Sequence, residues 1–170
     1  GIRHGKGVMQ IGSTKCLIEV PEGFRRPGEE PEYIEITGPY YDGEWENGTR
    51  HGTGTLYYKG RDESCKYVGT WKNGQRDGQG ELTYPSGNVY VGGWANDQRE
   101  GAGIMRWKEE VYDGLWHKNK QEGRGTHVWL KGGRAEHGAT QRLMCNRYVG
   151  DWKNGLRDGN GVFYYSNGSR

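Results

Sequence analysis

The sequence predicts an all-β protein: an elongated, single-layer antiparallel sheet of stacked β-hairpins, a solenoid-like repeat array with two loop insertions. Three observations carry that expectation. A Tyr-x-Gly-x-Trp segment recurs five times along the 170 residues. Each copy is followed at a fixed distance by a Gly-x-Gly pair. The composition fits such a sheet, with 32 Gly, 12 Tyr and 7 Trp but only 31% hydrophobic residues. A mean hydropathy of −1.08 would otherwise suggest disorder, yet disordered chains are poor in aromatics. A stacked sheet with one aromatic face needs few other apolar residues.

The first strand of each unit begins at Tyr41, Tyr67, Tyr90, Tyr112 and Tyr148, with Trp45, Trp71, Trp94, Trp116 and Trp152 four residues on. Gly43, Gly69, Gly92, Gly114 and Gly150 stand between them. The Gly-x-Gly pairs are Gly52/Gly54, Gly78/Gly80, Gly101/Gly103, Gly123/Gly125 and Gly159/Gly161. An aromatic closes each unit seventeen residues after its Tyr: Tyr58, Tyr84, Trp107, Trp129 and Tyr165. Starts are spaced 26, 23, 22 and 36 residues apart, so the base period is about 23 with insertions. Complete units fall at 41–66, 67–89, 90–111, 112–147 and 148–170. Residues 1–12 overlay the second half of a unit, because Gly1-Ile2-Arg3-His4-Gly5-Lys6-Gly7 matches Gly48 to Gly54. The chain is therefore expected to be a stretch of a longer array.

Alternation puts Tyr, Gly and Trp on one face of a strand. Asn47-Gly48, Asn73-Gly74 and Asn154-Gly155 supply residues that accept positive φ in a hairpin turn. Asp97 and Asn119 stand where that Gly would sit, and both tolerate the same backbone. The second strand runs from Gly-x-Gly into the closing aromatic. Leu56, Leu82, Met105, His127 and Phe163 share the aromatic's face on it. The Gly between Tyr and Trp leaves room for a neighbouring ring and permits the strand to bend. Isolated hairpins are marginal, so stacking edge to edge must supply the stability.

Two segments interrupt the period. Residues 13–40 carry three Pro between Pro21 and Pro31, flanked by strand-like Cys16–Val20 and Tyr33–Ile36 that could extend a hairpin. A second insertion lies at about 130–147. Projecting loops on a repeat scaffold are natural places for partner contacts; the plainer alternative is a tolerated loop.

Several functions are excluded or disfavoured. No apolar run approaches the roughly 20 residues of a membrane-spanning helix. A net charge of +2 gives no field to gather nucleic acid. Cys16, Cys65 and Cys145 are odd in number and widely spaced, which fits free thiols in a reducing compartment. No nucleophile elbow, P-loop or His-Glu-x-x-His segment is present, so no enzyme activity and no cofactor are expected. His117, His127 and His137 recur at ten-residue spacing but at different repeat positions, without further ligands at metal spacing. They are read as surface or packing residues.

Two surfaces remain as candidates. Arg50, Arg76, Arg99 and Arg157 share one repeat position, and Asp77, Glu100, Glu122 and Asp158 share the next. Stacking would set these as two columns along one rim, neutralising each other in exposed pairs worth roughly 0–1 kcal/mol or docking a charged partner. The aromatic stripe is mostly core, and its groove could hold an extended peptide or an amphipathic helix. Trp107 and Trp129 mark the first place to look. Unpaired terminal edges would permit self-association.

The pattern Tyr-x-Gly-x-Trp-x-x-Gly-x-x-x-Gly-x-Gly at this period resembles the MORN (membrane occupation and recognition nexus) repeat, over five full units and a remnant. Within that family, Gln121 to Leu130, Asn146-Arg147-Tyr148 and Phe163 to Gly168 are similar to the radial spoke head members of motile cilia and flagella. That resemblance implies a non-catalytic scaffold in the axoneme, with other radial spoke head proteins as partners. The alternative implied by the family is a membrane-proximal module that binds phosphoinositides or is appended to a kinase or methyltransferase. The locally cancelling charge columns argue against membrane lipids as partners. A cell-wall-binding aromatic repeat would place its rings differently and would lack the double Gly-x-Gly.

Overall fold

A computed structural model describes residues 3–10, 15–19, 33–37, 39–58, 65–130 and 145–170. Every regular element among them is a β-strand. The chain divides into two compact units, Gly1–Pro85 and Ser86–Arg170. The first holds β1 (Gly5–Gln10), β2 (Lys15–Glu19), β3 (Tyr33–Thr37), β4 (Tyr40–Glu46), β5 (Thr49–Tyr57), β6 (Lys66–Lys72) and β7 (Gln75–Thr83). Its sheet runs in the order β1-β4-β5-β6-β7, with β2 and β3 paired separately. The second holds β8 (Val89–Ala95), β9 (Gln98–Arg106), β10 (Glu110–His117), β11 (Lys120–Trp129), β12 (Asn146–Lys153) and β13 (Leu156–Tyr164), paired in chain order. The recorded ladders within each unit are antiparallel. The fold class is the one the repeat predicts.

The strand-like flanks of the first insertion pair with each other: Lys15↔Thr37 through Glu19↔Tyr33. The β1–β4 ladder ends on Gln10↔Tyr40, so the hairpin continues past the main sheet as a two-stranded ladder of its own. Asn146 and Arg147, which the period assigned to the second insertion, are the first residues of β12. The Pro-rich centre of the first insertion and most of the second lie outside the described residues.

The turns form at positive φ on both central residues, as two-residue hairpin loops demand. Asn47/Gly48 have φ of 47° and 79°, and Asn96/Asp97 have 48° and 65°. Lys118/Asn119 have 47° and 68°, so the Gly-less turns keep the same geometry. The register holds a feature that strict alternation does not predict. Gly43 pairs with Gly54, but Trp45 pairs with Arg50. Three residues, His51-Gly52-Thr53, therefore face the single Glu44. The β6–β7, β8–β9, β10–β11 and β12–β13 ladders shift between the corresponding Gly and Trp. The extra backbone is absorbed by the first glycine of Gly-x-Gly, which takes a φ of 60° at Gly52 and 94° at Gly78.

The second glycine of the pair has a different role. Gly7, Gly43, Gly54, Gly69 and Gly80 lie side by side across the first unit. Gly92, Gly103, Gly114, Gly125, Gly150 and Gly161 do so in the second. A Cβ on Gly54 would run into the Tyr41 ring, and one on Gly125 into the Tyr112 ring. Each unit's own tyrosine thus lies over its pair of glycines, in the room that the sequence reading gave to a neighbouring ring.

The core sits on this face. Tyr41, Tyr67, Tyr90 and Tyr112 are fully buried, and the five repeat tryptophans are buried with them. The opposite face is not wholly bare, contrary to a one-faced sheet. Tyr40 stacks on Tyr57 at 4.6 Å and packs against Val8. In the second unit Val111 and Val128, paired in register, are both buried, as is Cys145.

Candidate functional site

The recurrent site is the junction where one hairpin meets the next. The Tyr ring stands edge-on between two tryptophans: Tyr41 lies 5.2 Å from Trp45 in its own hairpin and 5.3 Å from Trp71 in the next, at 89° and 82°. Tyr112 is placed likewise between Trp116 and Trp152, at 5.2 and 5.1 Å. Such pairs contribute roughly 0.5–1.5 kcal/mol beyond burial. The polar ends are also bonded. Each Tyr hydroxyl donates to the carbonyl three residues on, from Tyr41 to Glu44 at 3.1 Å through Tyr148 to Asp151 at 3.2 Å. The Trp indole N–H donates backwards to the second glycine of the preceding Gly-x-Gly. Trp45 reaches Gly7, Trp71 reaches Gly54 and Trp116 reaches Gly103 at 3.0–3.1 Å, while Trp152 reaches Gly125 at 3.4 Å. Burial pushes the Tyr41 hydroxyl up to about 12 and that of Tyr112 higher still, so both remain neutral donors.

The arginine column does not form the neutralising rim that the sequence suggested. Its guanidiniums turn onto the aromatic face. Arg50 sits 4.3 Å above the Trp71 ring and donates to the Gly74 carbonyl of the next turn at 2.7 Å. Arg99 sits 4.4 Å above Trp116 and donates to the Asn119 carbonyl at 2.9 Å. Arg76 lies over Tyr67 at 5.7 Å, and Arg157 over Tyr148 at 5.6 Å. The acidic column serves the next turn instead. Glu100 accepts from Lys118 N–H at 3.0 Å and pairs with His117 at 2.9 Å. Glu122 accepts from Asn154 N–H at 2.9 Å. Those bonds hold the Glu100 carboxyl below its usual range. Asp158 is exposed, and Asp77 is partly buried. Cation–π contact explains the separation: a planar guanidinium gains more on a buried indole than in an exposed ion pair.

The closing aromatics divide into two groups. Tyr58 and Tyr84 are half-buried beyond the ends of β5 and β7. Trp107, Trp129 and Tyr165 belong to a continuous stack in the second unit. Trp107 lies 6.0 Å from His127, which stacks on Trp129 at 4.3 Å and 19°. Trp129 stacks on Phe163 at 5.4 Å, and Phe163 meets Tyr165 at 4.8 Å. Tyr165, at 49% exposed, is the open end. His127 replaces Leu56, Leu82 and Met105, and its Nε2 lies 2.9 Å from Glu110. Burial holds its pKa below the ordinary value, against the opposing pull of Glu110. The equivalence of His127 with those apolar residues was legible from the period; the stacking was not.

A shallow cleft in the first unit is lined by His4, Lys6, Glu44, Trp45, Glu46 and His51. His51 Nδ1 lies 3.1 Å from Glu46 but out of hydrogen-bond alignment. Among the described residues no group of three or more His, Cys, Asp or Glu is arranged to hold a metal. No helix among them is long and apolar enough to cross a membrane.

These contacts define a class: an all-β repeat protein whose units are held by one repeated junction of Tyr, Trp, Gly and Arg. The MORN repeat family model matches residues 1–13, 41–62, 67–89, 90–109, 112–134 and 148–170. The chain belongs to the MORN repeat family. Such repeats suggest a protein-interaction or membrane-associated module.

Proposed function

We propose that the chain is a non-catalytic scaffold that docks protein partners, and that its place is the radial spoke head of the ciliary axoneme, with other spoke head proteins bound to it. The observation that supports docking most is the stack Trp107–His127–Trp129–Phe163–Tyr165, whose outer rings are half-buried or exposed. A run of rings with open faces is the kind of surface on which apolar and aromatic side chains of a partner anchor. The axonemal placement rests on the wording of Gln121 to Leu130, Asn146 to Tyr148 and Phe163 to Gly168, which is similar to spoke head members of the family.

Proximity labelling from a tagged full-length chain in motile ciliated cells tests the placement. Enrichment of spoke head proteins is expected; signal confined to the plasma membrane or cytosol would overturn it. Cosedimentation with phosphoinositide vesicles at physiological salt tests the membrane alternative, and no binding is expected.

A further inference from the structure

The hairpin junctions within the units differ at one point. The arginine that lies over the next tryptophan is Arg3 over Trp45, Arg50 over Trp71 and Arg99 over Trp116. At the junction of β11 with β12 its position is held by Gln121. The side-chain amide of Gln121 makes no hydrogen bond among the described residues. The groups that face the guanidinium elsewhere are all present there. The Trp152 ring stands edge-on to Tyr112 at 5.1 Å. The Gly155 carbonyl matches those of Gly74 and Asn119, which accept from Arg50 and Arg99. It has no side-chain donor among the described residues. Backbone register is kept, since Gly155 N–H donates to the Gln121 carbonyl at 2.9 Å as Gly74 N–H does to Arg50.

Charge makes the same distinction. Burial and nearby carboxylates raise the hydroxyl pKa of both tyrosines, Glu44 and Asp42 at Tyr41 and Asp113 and Glu122 at Tyr112, but the opposing pull of an arginine is felt only at Tyr41, from Arg50. Nearby cations are engaged elsewhere: Lys120 with Asn154 at 3.4 Å, Arg124 with Asp151 at 3.0 Å, and Arg157 over Tyr148 and Phe163. His127, 5.8 Å from Trp152, is held toward its neutral form by burial.

We infer that the Gln121 notch, between Tyr112, Trp152 and the Gly155 carbonyl, is a receptor for a guanidinium: an arginine side chain of a bound protein. That arginine lies over Trp152, donates to the Gly155 carbonyl and is drawn by Glu122. Trp152 is only 6% exposed, so entry requires local side-chain movement, and Gln121, which holds the arginine's repeat position, is not restrained by a side-chain hydrogen bond among the described residues. The inference rests on the scaffold reading in taking the guanidinium from a protein, but its test needs no partner.

Titrating the full-length chain with N-acetylarginine amide, followed by indole and backbone amide NMR resonances, is the test. Saturable shifts of the Trp152 indole and the Gly155 amide are expected, with the Trp71 and Trp116 indoles unmoved. The citrulline analogue, alike in shape but uncharged, is expected to leave both in place. Gln121→Arg fills the notch from within and is expected to weaken binding at least about tenfold, or roughly 1.4 kcal/mol. If that variant folds poorly, Gln121→Lys serves the same purpose. Equal shifts with citrulline, equal shifts at the capped tryptophans, or undiminished binding by the filled variant would overturn the inference. Failure here leaves the scaffold reading standing, and failure of axonemal labelling leaves the notch standing.

Discussion

The junction of β5 with β6 and the junction of β11 with β12 are built on one backbone and finished differently. Both pair glycine with glycine, Gly54↔Gly69 and Gly125↔Gly150. Both hold a fully buried tyrosine between two tryptophans. Only the first has an arginine over the second tryptophan and a leucine on the core face of the second strand. The other has Gln121 and His127, and its indole hydrogen bond is longer, 3.4 Å against 3.1 Å. The difference separates two jobs. Tyr, Trp and Gly set the register; the arginine position and the Leu/His position lie beside that frame and can change without altering it. Variation there individualises a repeat.

The frame predicts the largest effects, and they should be alike at both places. Gly54→Ala and Gly125→Ala each drive a methyl into a tyrosine ring that has no room to move. Overpacking of this kind costs about 2–4 kcal/mol, or a fall in Tm of roughly 4–16 °C for a chain of this size. Thermal unfolding of the two variants checks it. A large effect at one glycine and none at the other would mean that the junctions do not share a frame.

Exchanging the caps should make the junctions converge. Arg50→Gln removes the cation–π contact with Trp71 and the hydrogen bond to Gly74, with an expected loss of about 1–2 kcal/mol. Gln121→Arg supplies both where they are missing, with a smaller expected gain of about 0.5–1 kcal/mol, since a long side chain must also be ordered. Urea unfolding of the pair measures the asymmetry. A destabilised Gln121→Arg would show that the notch does not accommodate a guanidinium.

The frame was legible in the sequence because it repeats. Tyr41, Gly43 and Trp45 recur at fixed offsets, and a fixed offset in a hairpin stack is a fixed place. The turns at Asp97 and Asn119 were legible for the same reason, through residues that accept positive φ. What was not legible lies between repeats. The three-against-one bulge at Gly52 breaks the alternation from which faces were assigned. The arginine column looked like half of an ion-pair rim because Asp77 and Glu100 follow Arg76 and Arg99 in the chain. Neighbours in sequence point to opposite faces of a strand, and the aromatic side is where the arginines went. The second-face pairs Tyr40↔Tyr57 and Val111↔Val128 occupy one repeat position, but other units put Lys66↔Thr83 and Val89↔Arg106 there, so no recurring residue type announced them.

The Leu/His difference predicts a pH dependence confined to one junction. His127 has a pKa lowered by burial, so the unfolded chain binds its proton more tightly than the folded one. Stability from this group is complete above the ordinary histidine pKa and falls as pH drops below it through the folded value. Glu100, with its carboxyl held below the usual range, contributes in a lower window: its share is lost only as pH falls below the ordinary carboxylate range. Tm measured between pH 8 and pH 3 should therefore decline in two stages. His127→Leu, which copies Leu56, should remove the upper stage and spare the lower. An upper stage that persists in that variant would assign the decline to another group.

The smallest effect concerns the turn that leads into the second junction. Lys118 holds a φ of 47° where the turns of three other hairpins have Asn followed by Gly. A long side chain is strained there, whereas Asn accepts the left-handed region. The Lys118 N–H bond to Glu100 is made by the backbone and survives a change of side chain. Lys118→Asn should therefore stabilise by about 0.5 kcal/mol, and it should do so equally in the wild-type and Gln121→Arg backgrounds. Turn strain and rim capping would then be independent contributions. A gain that appears only with Arg at 121 would couple the turn to the cap through the β10–β11 hairpin, and the distinction between frame and finish drawn from the two junctions would have to include the turn as well.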